Sequence, residues 1–175
     1  MTDIVKRAGI ARKTFYDNFS SKEDCFLAAQ EYAMETALER VVGAAGTEQS
    51  WAGRVRAGLA AFLEYVAAEP ALAKTCMVEA LGVSPASISY YEESQQAFVS
   101  LFKLGRNVSP QGKELPETLE EAIIGGVFWI VYQRLVTAET ETITELLPEL
   151  VEFVLAPYLG PEAAHGLGFQ NQETG

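Results

Sequence analysis

The chain has 175 residues, of which 49% are apolar and 21% charged; these proportions exclude bulk disorder, and the length is enough to bury a core without disulfide or metal staples. Its 13 Lys+Arg stand against 24 Asp+Glu, a formal net charge of -11, which by itself speaks against a nucleic-acid binder.

Taken in chain order, almost every segment predicts helix, and no alternating strand pattern bounded by Asn-Gly or Asp-Gly occurs. Asp3 to Ala8 reads as a short helix ended by Gly9, and Ala11 to Asn18 as a second. Ser21 to about Val42 reads as a long helix with a serine cap and acids in its first turn, broken by Gly43 to Gly46. Ser50 to Ala68 follows, with Val55, Leu59, Phe62, Leu63 and Val66 on one face. Pro70 opens a helix to Leu81, and Gly82 to Ser84 turns the chain. Pro85 to Leu104 is helical, and Gly105 to Lys113 is a loop. Pro116 to Ala138 is a long apolar helix. Thr142 to Leu159 is the last, interrupted by Pro148 and Pro157, and a Gly-rich, frayed tail closes the chain.

Charge divides unevenly along this order. Residues 1–30 hold five basic and four acidic groups, net +1, which leaves eight basic and twenty acidic groups, net -12, for the rest. The acidic excess therefore belongs to the body, and the head carries a small basic surface.

The head joins two short helices through one glycine, the arrangement of a helix-turn-helix. On a helical wheel Ala11, Phe15 and Phe19 share a buried face. Lys13, Tyr16 and Asp17 point the other way, with Arg12 and Thr14 on the flanks, and Lys22 starts the long helix. Cations, a hydroxyl and a phenol on a short helix suit phosphates and base edges in a major groove. The run Asp3-Ile4, Ala8-Gly9-Ile10, Thr14-Phe15-Tyr16, Phe19 and Ser21-Lys22-Glu23 resembles the DNA-binding signature of the tetracycline-repressor (TetR) family of transcriptional regulators. The resemblance implies that Lys13, Thr14, Tyr16 and Lys22 face DNA, with Tyr16 and Lys22 on phosphates; Arg12 joins them as a candidate. Two departures stand out. Ala11 occupies a position where the family usually has a capping Ser or Thr, a loss of about 1 kcal/mol. The family also places an arm and a first helix before the residues matching Asp3-Ile4, so the expectation is a start upstream of Met1 and a head that is incomplete as written.

The resemblance further implies an all-α body that encloses a ligand cavity and dimerises through its last two long helices. The stretch Ala122 to Tyr132 is apolar all round its helix and predicts cover on every side. Gly125 and Gly126 permit close approach of another helix; with Leu150, Phe153 and Val154 they are the expected dimer face, the alternative being a core within one chain. Aromatics and their neighbours supply the pocket candidates: Phe62, Tyr65, Met77, Tyr91, Phe98, Phe128, Trp129 and Tyr132, with Tyr90 and Cys76 close in sequence. With no basic cluster in the body, an apolar or aromatic effector fits better than an anionic one.

The expected organisation is a head over residues 1–25, a ligand-binding and dimerisation body over 26–160 and a flexible tail over 161–175. The expected partners are double-stranded operator DNA, a small-molecule effector and a second copy of the chain, in the cytoplasm and away from membranes. The leading function is a ligand-responsive regulator, a repressor released from a palindromic operator. The rival is a TetR-like dimeric small-molecule-binding protein with impaired or lost DNA binding. An enzyme finds no support. Cys25 and Cys76 have no metal-ligand spacing, His165 is the single histidine, and no nucleophile–base pair or phosphate-binding glycine loop occurs, so no cofactor, metal or catalytic residue is expected.

Overall fold

Serines and prolines set where the helices begin. A computed structural model describes residues 2–169, and its regular elements are all helical among the described residues. The head contains α1 (Thr2–Ala8) and α2 (Arg12–Asn18). The body follows with α3 (Lys22–Gly46), α4 (Trp51–Ala68), α5 (Pro70–Lys74), α6 (Pro85–Phe102), α7 (Leu119–Thr137), α8 (Leu147–Leu159) and α9 (Pro161–Phe169). Ser21, Ser50 and Ser84 each accept a backbone N–H three residues on, at 3.0, 3.0 and 3.2 Å, and so open α3, α4 and α6. Pro70, Pro85 and Pro148 sit in the first turn of their helices, where a missing N–H breaks no bond.

Four sequence expectations change. The long helix does not break at Gly43; α3 runs through both glycines to Gly46, because neither takes a left-handed conformation and Val41 is locked against α4. A Cβ on Gly58 would lie 3.2 Å from Val41 Cγ1, so the two helices meet at a glycine and packing outweighs the cost of glycine in a helix. The stretch 70–82 stays helical, but its winding passes from α5 to a π turn over Thr75–Glu79 and a 3-10 turn over Ala80–Gly82. Pro157 lies inside α8 and does not end it.

The fourth change is at the C-terminus. Residues 161–169, expected to fray, form α9. Gly160 at φ +85° redirects the chain and Pro161 restarts a helix. Gly168 reaches the backbone of α8 so closely that a Cβ would stand 2.6 Å from the Pro148 carbonyl. Arg56 Nη1 donates to the carbonyls of Leu167 and Gly168 at 3.0 and 2.8 Å, satisfying acceptors that a helix end leaves open. The remainder of the expected tail, 170–175, lies outside the described residues.

The core runs between α4, α7 and α8, where Leu63, Val131, Val151, Leu155 and Tyr158 are fully buried. Into it projects one carboxylate, Glu120, whose side chain is 1% exposed. Arg106 Nε and Nη2 each donate to it at 2.8 Å, and the Tyr158 hydroxyl donates at 2.9 Å. Arg106 also donates to the carbonyls of Leu115 and Pro116, and thereby holds the segment between α6 and α7. Burial works against the charge of Glu120, but the hydrogen bonds from Arg106 and Tyr158 outweigh it and hold the carboxyl below its usual range. A depressed folded-state pKa means that this stabilisation is complete above the unfolded carboxylate value and is lost as pH falls through the folded one. Acid titration followed by near-ultraviolet circular dichroism is expected to show the body losing its packing below the ordinary carboxylate range, and a Glu120→Gln variant is expected to lose that part of the pH dependence.

Candidate functional site

The head presents its polar groups on a minimal support. Gly9 takes φ +66° between α1 and α2, a conformation that L side chains rarely adopt. Ala11 holds the N-cap position of α2 with no side-chain bond to the helix, so the cap that the sequence lacks is absent in the fold too. Among the described residues of the head, Phe15 is the one whose side chain is buried, at 1% exposure, against Phe19 and Tyr16 with ring centroids 5.3 and 5.5 Å away. Phe19 is half-buried, and Ala11, expected on the same covered face, is exposed, because α2 has barely two turns and only its middle is covered.

All five DNA-contact candidates, Arg12, Lys13, Thr14, Tyr16 and Lys22, lie on the exposed surface. The Arg12 guanidinium sits over the Tyr16 ring at 5.8 Å, and among the described residues no acid pairs with Arg12, Lys13 or Lys22. Lys22 is the first residue of α3, directly after the Ser21 cap. Asp24 turns back on that cap and accepts from the N–H and hydroxyl of Ser20 at 2.7 and 2.9 Å. Those bonds, the backbone one first, hold its carboxyl below the usual range, so Asp24 is engaged with Ser20.

The body contains an apolar cavity of about 230 Å³ between α3, α4, α6 and α7. Of the sequence candidates, Phe62, Phe98 and Phe128 line it; Phe62 and Phe128 stack at 5.6 Å and Phe98 tilts on both. The other five pocket candidates lie elsewhere. Tyr91 packs edge-on against Phe128, 6.1 Å away, and is not one of the cavity's lining residues. Tyr65 and Met77 are buried outside the lining; Tyr65 lies under the Arg40 guanidinium, and its hydroxyl has no protein partner. Trp129 and Tyr132 stack on each other at 5.4 Å, with Trp129 60% exposed on the outer face of α7. Residue type alone points both to the pocket, whereas helix phase turns them away from it. The cavity also uses Val41 and Ala45 of α3, and Trp51 and Arg54 of α4, none of which was foreseen. Trp51 was legible, since it falls in phase with Val55, Leu59 and Phe62; nothing in the sequence marked Arg54.

The expected dimer face also divides. Leu150 and Val154 are buried within the chain, as the alternative of an internal core required. Gly125 and Phe153 are exposed, and Phe153 packs over Gly126, where a Cβ would stand 2.9 Å from its ring. The helix that looked apolar all round has one covered face, through Ile123, Val127, Phe128 and Val131, and one open face carrying Gly125, Trp129 and Val136.

Among the described residues the architecture is a helix-turn-helix head at the N-terminal end of a long helix, on an all-helical body with an apolar cavity. Residues 1–29 match the family model described as bacterial regulatory proteins, tetR family. The match lies in the head, which is similar to the DNA-binding head of that family, and the rest of the chain shares with it an all-helical fold among the described residues. No curated protein and no solved structure matches it. Among the described residues no helix is long and apolar enough to cross a membrane.

Proposed function

We propose that the protein is a ligand-responsive repressor that binds a pseudo-palindromic operator as a homodimer and is released by a small apolar or aromatic effector. The observation that carries this reading is the continuity of α3. Lys22, beside the head, and Val41 and Ala45, in the cavity wall, belong to one helix, so a ligand that shifts the wall tilts the support of the head. The coupling works only through unequal affinity of the effector for the DNA-competent and DNA-incompetent states. The open face of α7 and α8, with Gly125, Trp129 and Phe153, is the surface that supports pairing of two copies, and two-fold symmetry then suits two half-sites. The acidic body keeps non-specific affinity low and leaves contact to the cations of the head.

Mobility-shift titration on the DNA upstream of the gene tests this. Affinity is expected to fall linearly on a log–log plot against salt, and Lys13→Ala and Lys22→Ala, each removing one cation from both protomers, are each expected to reduce that slope by about two. Binding that is indifferent to salt and to both substitutions removes the repressor reading. It favours instead a dimeric small-molecule-binding protein without DNA contact, in keeping with the uncapped start of α2.

A further inference from the structure

The cavity is polarised from its mouth inward. Phe62, Val127 and Phe128 lie buried at its inner end, whereas Val42, Leu104 and Arg54 are exposed and mark the opening. Among the described residues Arg54 is the one charged residue in the lining. Its Nε donates to the Glu48 carbonyl at 3.0 Å, which fixes the plane of the guanidinium, and among the described residues neither Nη meets a protein acceptor or an acid. With Nε–H engaged, four N–H groups remain on Nη1 and Nη2, and the parallel pair at the end of the fork matches the two oxygens of a carboxylate. A dianion such as a phosphate monoester is disfavoured, because the chain carries a formal net charge of -11 and repels a second negative charge. Size follows from volume. An apolar cavity of about 150 Å³ takes the six carbons of benzene, so the 230 Å³ here has room for about nine.

We propose that the effector is a small monocarboxylic acid with an apolar body of about nine carbons, its body among Phe62, Phe98 and Phe128 and its carboxylate on Arg54. This deepens the proposed function and rests on its reading of the cavity as the effector site.

The test titrates the full chain calorimetrically with 4-phenylbutyrate, whose body is of this size, and with its neutral amide. The acid is expected to bind at least tenfold more tightly than the amide. Arg54→Gln, checked by its thermal melt, is expected to bring the acid down to the affinity of the amide without moving the amide. Ala45→Phe, which fills the lining, is expected to abolish both. Equal affinities for acid and amide, unchanged in Arg54→Gln but lost in Ala45→Phe, overturn the carboxylate assignment and leave the cavity as the effector site. Failure of both probes to bind, or binding that survives Ala45→Phe, overturns the carboxylate assignment and the reading of the cavity together.

Discussion

Glu120→Ala is expected to destabilise the body by about 3–5 kcal/mol, because removing one member of a buried ion pair leaves the other charge uncompensated. For a chain of this size that corresponds to a fall in melting midpoint of roughly 6–20 °C. Two groups lose their partner. The Arg106 side chain, only 24% exposed, keeps its backbone acceptors but no counter-charge, and the fully buried Tyr158 hydroxyl has no other acceptor. Arg106→Ala is also expected to destabilise, since it leaves the buried carboxylate with the Tyr158 hydroxyl and no counter-charge. The double variant is expected to lose less than the sum of the two, since both act on one interaction. The effect reaches the cavity as well: Trp51, in its wall, packs edge-on against Tyr158 with ring centroids 4.8 Å apart. Leu104, also in the lining, precedes Arg106 by two residues in the same 3-10 turn. Denaturant and thermal unfolding of the three variants check this; a midpoint for Glu120→Ala within two or three degrees of the parent removes the network from the account of stability.

Phe15→Ala is expected to abolish specific DNA binding while leaving the melting of the body almost unchanged. A buried phenylalanine reduced to alanine costs about 3–5 kcal/mol, and the head has no second buried side chain among its described residues to absorb the loss. Helices as short as α1 and α2 do not persist without packing. If that energy holds α2 in its DNA-competent orientation, operator affinity falls by roughly 100-fold or more. The body core, between α4, α7 and α8, does not include Phe15, so its midpoint is expected to stay within a few degrees. Paired measurement of operator affinity and body unfolding checks the prediction, and retention of near-parental affinity in Phe15→Ala would show that the phenylalanine is not what positions the contact helix.

The head was readable because its information is local. Gly9, the Thr14-Phe15-Tyr16 run and the Ser21 cap each act within a few residues, and each does in the structure what its chemistry implies, down to the missing cap at Ala11. The helical class of the body was readable for the same reason, from apolar spacing and from proline and serine at helix starts. Local signals misled where packing competes with propensity. Gly43 reads as a breaker but is carried through α3 by the contact of Val41 with Gly58. The segment after Gly160 reads as a tail, yet a glycine with no Cβ at 168 and the reach of Arg56 make it a helix.

The sequence by itself determined that the chain is helical, that its acidic excess lies outside the head, and that Arg12, Lys13, Thr14, Tyr16 and Lys22 are among the polar groups the head exposes. These follow from periodicity, composition and short-range chemistry. Only the tertiary structure decided which aromatics share a cavity, which side of α7 faces outward, and that Arg54 stands at the cavity mouth. Such facts depend on how helices distant in sequence are rotated against one another. A shift of one residue turns a side chain by about 100° (from 3.6 residues per turn), enough to move it from a cavity wall to the surface. That rotation separates Phe128, against Phe62 in the cavity, from its neighbour Trp129, stacked on Tyr132 and facing outward.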